Sequence, residues 1–164
     1  LSDIPDKIDF LKIDVQGYES EIINYGKDKI DDCLVIQLET SPTPIYKNEK
    51  THSATILELE KLGFTLHMFN NLNTRSFKPT IVNNNPFTGI NHLFQVDCVL
   101  IKNLKTIDNY EIESLKKLIL ILFYSFKSYD LVDYLIRLLD KKGNQKNIDK
   151  FREVFSKLKI QKLY

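Results

Sequence analysis

The sequence predicts an α/β fold: half of a doubly wound sheet over residues 1–103, followed by a small helical subdomain over residues 104–164. Three observations predict it. Two nearly continuous apolar runs, residues 8–15 and 33–38, each finish on acids, as buried strands do when they present polar groups at the carboxyl edge of a sheet. Helical patterns separate the runs, giving the order strand, helix, strand, helix, strand, strand. After Asn103 only helical patterns remain.

The first run opens the stretch IDFLKIDVQGYE. Ile8, Phe10, Leu11, Ile13 and Val15 nearly fill it, so a fully buried strand fits better than a one-sided one, which would alternate. Asp14, Gln16 and Glu19 then stand at its carboxyl end, and Gly17 supplies a tight turn. Tyr18, Ile22 and Tyr25 repeat at helical spacing, with Gly26 where a cap belongs, so a short helix follows. Residues 33–38 read as a central parallel strand closing on Glu39. Pro42 and Pro44 make residues 41–50 a rigid loop. Ile56, Leu59 and Leu62 form the stripe of the next helix, which Gly63 ends in the left-handed conformation. Residues 64–69 read as a strand. Residues 70–92, rich in Asn, Pro and Thr with Gly89 near the end, read as a lid or binding loop, or as an insertion without order. Residues 94–101 form the last strand.

In the tail, Asp108 and Glu111 resemble a capping box ahead of the stripe Ile112, Leu115, Leu118, Ile119 and Leu122. Ser128 can cap a second helix with the stripe Leu131, Leu135, Leu138 and Leu139, closed by Lys141, Lys142 and Gly143. Ile148, Phe151, Val154, Phe155 and Leu158 make a third.

A formal net charge of +1, with lysines scattered rather than interleaved with aromatics, argues against a nucleic-acid partner. Cys33 and Cys98 lie within apolar runs and read as small buried hydrophobes of a reduced, cytoplasmic protein. The longest apolar run, LILILF at residues 118–123, is too short to cross a bilayer, and no signal peptide opens the chain. The chain opens on Leu rather than Met, and is read as a piece of a longer protein. No pairing of Cys or His has metal-ligand spacing, so no metal site is expected; His52, His67 and His92 are not clustered.

Asp14 is the leading candidate for chemistry. A carboxylate at the end of a central strand faces the crevice where ligands bind, where it can hold a cationic group or take a hydroxyl proton; capping the following helix is the competing role. Glu39, closing a buried strand, must find a partner or water, and a bond to the Pro-rich loop is its alternative. Glu19 in a first helical turn is favourable without any catalytic job. Gln95 and Asp97 share one face of the last strand.

These residues resemble a pattern of the FkbM-type methyltransferases: K-I-D-V-Q-G-Y-E at residues 12–19, a strand ending in Glu39, P-x-Y at residues 44–46, L-x-x-x-G-F at residues 59–64, and Q-x-D-x-x-L at residues 95–100. The resemblance implies a Rossmann-like, seven-stranded class I sheet, of which this chain holds the fourth to seventh strands. It implies S-adenosylmethionine as cofactor of the intact domain and a hydroxylated acceptor such as a sugar. Asp14 and Glu39 would be catalytic; Gln16, Gly17, Glu19, Gln95 and Asp97 would bind cofactor or substrate. For Gln95 and Asp97 the competing placement is a sheet edge facing solvent. The five glycines, at 17, 26, 63, 89 and 143, are too widely spaced for the glycine-rich cofactor loop, so this piece alone is expected to be inactive. The alternative function is a non-catalytic module docking on a partner chain, with residues 8–15 as an exposed strand edge through which it could also form oligomers.

Overall fold

A computed structural model describes residues 7–143 and Glu153. The third tail helix, with its stripe from Ile148 to Leu158, lies outside the described residues. The chain divides into two compact units, Leu1–Lys105 and Thr106–Tyr164.

The first unit is built on four strands, β1 (Phe10–Ile13), β2 (Val35–Thr40), β3 (Phe64–Arg75) and β4 (His92–Lys102), in the spatial order β1-β2-β4-β3. β1 and β2 are parallel, and β4 runs antiparallel to both β2 and β3. Between them lie α1 (Glu19–Tyr25), α2 (Lys27–Ile30) and α3 (His52–Lys61). The result is a mixed α/β sheet compatible with a Rossmann-like fold.

Period-two alternation sorts the strand residues into two faces. Ile13, Ile36, Leu38, Cys98 and Leu100 are buried on one face, in a cluster with Ile23, Ile30, Ile56 and Leu59 from the helices. The paired registers Val35↔Ile101, Gln37↔Val99 and Glu39↔Asp97 define the other face, apolar at one end and polar towards the carboxyl ends of β1 and β2.

Gly63 ends α3 at φ +83°, as the sequence predicts, and Thr51 starts it by accepting the Ala54 amide on its hydroxyl at 3.3 Å. The stripe predicted for the first helix faces outward instead. Tyr18, Ile22 and Tyr25 are exposed, while Glu19, Ser20 and Ile23 are buried. The physical reason is short-range: Glu19 turns inward to bond the preceding turn, which fixes the rotation of a helix of seven residues.

β1 is less enclosed than its composition suggests. Among the described residues it pairs on one side only, to β2, and of its own residues only Ile13 is buried. β3 runs six residues beyond the predicted end at Phe69, so the irregular stretch shrinks to residues 76–91. Its Asn- and Thr-rich second half is a half-exposed strand, paired with β4 across three register shifts that hide the alternation. β4 lies between β2 and β3, so Asp97, opposite Glu39, occupies an interior position rather than a solvent-facing sheet edge, while Gln95 lies one residue beyond the last β2 pair and is paired with β3. Pairing with β2 ends at Thr40↔Val96, whereas pairing with β3 continues to Arg75↔His92. The β3–β4 hairpin therefore projects about 13 Å past the carboxyl end of β2.

In the second unit, α4 (Ile112–Ile121) continues into a π-helical turn (Leu122–Phe126), and α5 (Tyr129–Lys141) follows. Leu115, Leu118 and Leu122 are buried as predicted. The capping box is not formed: Glu111 makes no side-chain cap, and the Asp108 carboxylate accepts the Tyr134 hydroxyl at 2.7 Å. Ser128 stands at the start of α5, but its hydroxyl points to the Asp130 carboxylate rather than to a helix amide. The buried stripe of α5 is Val132, Leu135, Ile136 and Leu139: Leu135 and Leu139 are buried as predicted, while Val132 and Ile136 stand where Leu131 and Leu138 were expected. Among the described residues no helix is long and apolar enough to cross a membrane.

Candidate functional site

The polar residues singled out in the sequence converge at the carboxyl edge of β1 and β2. After β1 the chain reverses through two residues with left-handed backbone, Gln16 at φ +55° and Gly17 at φ +100°. Only glycine fits the second position comfortably, because a Cβ there would also stand 2.8 Å from Cβ of Tyr46. Glu19 holds the turn from behind. Its carboxylate accepts the Gly17 amide at 3.0 Å and the Val15 amide at 3.3 Å, and the residue is buried.

This turn aims Gln16 at the acids. Its Nε2 donates to Asp14 Oδ1 at 3.2 Å and to Glu39 Oε2 at 3.3 Å, while its Oε1 accepts the Tyr46 hydroxyl. The orientation of the amide follows from chemistry, since ionised carboxylates only accept and the phenol has a proton to donate. From β4, Gln95 Nε2 donates to the same Glu39 Oε2 at 3.0 Å. Asp97 sits directly opposite Glu39 in the antiparallel register. Thus Asp14, Gln16, Glu39, Gln95 and Asp97 are brought together, while Gly17 and Glu19 shape the turn beside them.

Glu39 is the electrostatic centre. Partial burial, then repulsion from Asp14 and Asp97, raises its carboxyl above the ordinary carboxylate range, against the opposing effect of the Gln16 bond. Both amide donors use Oε2; Oε1 has no hydrogen-bond partner among the described residues. Asp14 is exposed and shares its other oxygen with Lys12 at 3.2 Å.

Tyr46 is the site residue that reasoning on single residues passed over. Its signal was present in the P-x-Y loop. Glu49 fixes that loop by accepting the Tyr46 amide at 2.9 Å together with the Ile45 amide, which sets the ring over Gly17 and its hydroxyl on Gln16. On the opposite, core-facing side, His52 Nδ1 lies 2.7 Å from the Thr40 hydroxyl, and burial lowers its pKa. His92 stands at the mouth of the projecting hairpin, its ring 4.8 Å from that of Phe77. Among the described residues no group of three His, Cys, Asp or Glu side chains is arranged to hold a metal ion.

With the turn, the acid-ended strands and the Pro-rich loop assembled at one edge, this region is similar to a known family. Residues 1–66 match the Methyltransferase FkbM domain. The match takes in the Gly17 turn, Asp14, Glu39 and Tyr46 and ends in β3, so the FkbM resemblance read from the sequence is borne out over this stretch. Gln95 and Asp97 lie beyond the FkbM match; Asp97 joins the site through the sheet register and Gln95 through its bond to Glu39. No curated protein and no solved structure matches the chain.

Proposed function

We propose that these residues supply the acceptor side of an S-adenosylmethionine-dependent O-methyltransferase that acts on a sugar or another small hydroxylated molecule. The observation that carries the reading is the free Oε1 of Glu39, on a carboxylate held from two sides by Gln16 and Gln95 at the carboxyl edge of β1 and β2, the strands inside the FkbM match. A raised carboxyl pKa makes Glu39 a better proton acceptor than an ordinary glutamate.

The cofactor, when bound, supplies a methyl group on positively charged sulfur. The acid edge fits such a cation and also fits hydroxyls, so Asp14 would face the cationic or ribose side and Glu39 the acceptor. In such a transfer the cofactor would supply the methyl group and its sulfur would keep the electron pair of the broken carbon–sulfur bond, while Glu39 would take the proton of the acceptor hydroxyl. Much of the acceleration in such a transfer comes from in-line placement. Tyr46, Gly17 and Glu19 serve that placement by fixing Gln16. The glycine-rich cofactor loop has no counterpart in this sequence, and we place it in a longer chain to which these residues belong.

The test is methyl transfer by the protein of the complete reading frame, using a panel of sugars and other alcohols. Glu39→Gln keeps the amide-to-side-chain bonding and removes the proton acceptor; kcat is expected to fall about 100-fold, the size of a general-base contribution, with cofactor affinity unchanged. Unaltered kcat in E39Q sinks the assignment of Glu39, and the absence of transfer to any hydroxyl sinks the reading as a whole.

A second reading, a module that docks on a partner chain, is favoured by one observation. Tyr18, Ile22 and Tyr25, at and along α1, are exposed, and among the described residues β1 is a strand with one neighbour. Methyl transfer with these three residues replaced by polar ones separates the two readings, since docking alone needs them and chemistry at Glu39 does not.

A further inference from the structure

The projecting β3–β4 hairpin carries a cleft of about 280 Å³, lined by Arg75, Phe77, Thr80, Ile90, Asn91 and His92. Its charge is one-sided. Residues 61–96 contain no Asp or Glu, in a chain that has 22 of them, yet include Lys61, Arg75 and Lys78.

Arg75 is held in a fixed pose. Its guanidinium lies 4.8 Å from the Phe94 ring centroid and 5.9 Å from that of Phe87. Nη1 donates to the Phe87 carbonyl at 3.0 Å and the Thr74 carbonyl at 3.3 Å. The other guanidinium nitrogens have no acceptor, and no carboxylate pairs with Arg75, among the described residues. The wall behind it is set by close backbone packing. A Cβ on Gly89 would come within 2.0 Å of the Thr74 carbonyl carbon, and Ser76 Oγ donates to the Thr88 carbonyl at 3.0 Å. An ordered guanidinium with unused donors in a cleft is the geometry that binds carboxylate or phosphate in a bidentate fashion. Beside it the ring of Phe77 is 74% exposed, an apolar platform over the same space.

We propose that this cleft is an oxyanion-binding site, taking a carboxylate or phosphate carried on an apolar or aromatic molecule, with Arg75 as the pairing donor and Phe77 as the platform. The site is separate from the acid cluster at Glu39 and stands whether or not that cluster transfers methyl groups.

Phenyl phosphate, benzoate and the uncharged benzyl alcohol, titrated into the 164-residue chain and followed by calorimetry and by the Arg75 side-chain NMR signal, test it. At least one anionic probe is expected to bind about tenfold or more tightly than benzyl alcohol, the size of a charge-assisted pair, and to weaken as salt rises. Whichever anion binds tighter identifies the oxyanion as phosphate or carboxylate. Arg75→Gln, which removes the cation and keeps a polar side chain, is expected to abolish the preference for anions. Thr80→Trp, on the exposed rim, is expected to block all three probes without altering thermal unfolding, and decides the matter if R75Q does not fold. Equal binding of charged and neutral probes, no binding at all, or anion binding that survives T80W overturns the proposal.

Discussion

Glu39 shows why the acids at this edge are unlike ordinary surface carboxylates. Facing Asp97 across an antiparallel pair, with Asp14 nearby, it is placed where like charges oppose one another and where a neutral residue would cost the fold less. Because its folded pKa is raised, the folded chain holds this proton more tightly than the unfolded one. The resulting stability is present below the ordinary glutamate pKa of about 4.3 and is lost as pH rises through the folded value. Glu39→Gln is therefore expected to raise the melting temperature at about pH 7 and to leave it unchanged at about pH 3.5, where both states are protonated. Differential scanning calorimetry at the two pH values checks this; a lower melting temperature for E39Q at neutral pH contradicts it. Asp14, Gln16, Glu39, Gln95 and Asp97 were all legible in the sequence as polar groups ending apolar runs. Their mutual bonds were not, because Gln16 and Gln95 meet on one oxygen only through the left-handed turn at residues 16–17 and the β2–β4 register. Glu19 shows the reverse: a polar residue beside the site whose carboxylate serves the backbone of the turn.

Among the elements, α3 follows its sequence most closely. It has a Thr cap, an apolar stripe and a glycine stop, all local signals that tertiary packing reinforces. Thr51→Ala removes the bond to the Ala54 amide and should cost about 1 kcal/mol, read as a lower denaturant midpoint with an unchanged slope. The short α1 departs from its sequence. Seven residues carry too little apolar area to set their own rotation, so one buried carboxylate bonded to the preceding turn outweighs the Tyr18, Ile22 and Tyr25 spacing. β3 departs for another reason. Its second half is held by backbone pairing to β4, which leaves the side chains free to be Asn and Thr and removes the hydrophobic pattern by which a strand is recognised. α5 lies between these cases, its end predicted and half of its buried face, Leu135 and Leu139, as expected.

At the scale of the whole molecule, the sheet and its three helices enclose both cysteines. Burial pushes the Cys33 thiol up to about 11 and the Cys98 thiol up to about 12. Neither can present a thiolate at neutral pH, so a disulfide-exchange reagent is expected to leave both unmodified in the native protein and to label both once the first unit is unfolded; rapid native labelling contradicts the packing. By itself the sequence determined the α/β class, the order of the elements, the acids at the strand ends and the FkbM resemblance, because these depend on periodicity, turn residues and motifs within a few positions of one another. Only the tertiary structure decided the antiparallel insertion of β4 between β2 and β3, the placing of Gln95 and Asp97 beside Glu39, the part of Tyr46, and the projection of the hairpin that carries Arg75. Those depend on strand register between segments far apart in the sequence, Val35 and Ile101 being one such pair, and no local pattern encodes which distant neighbour a strand will find.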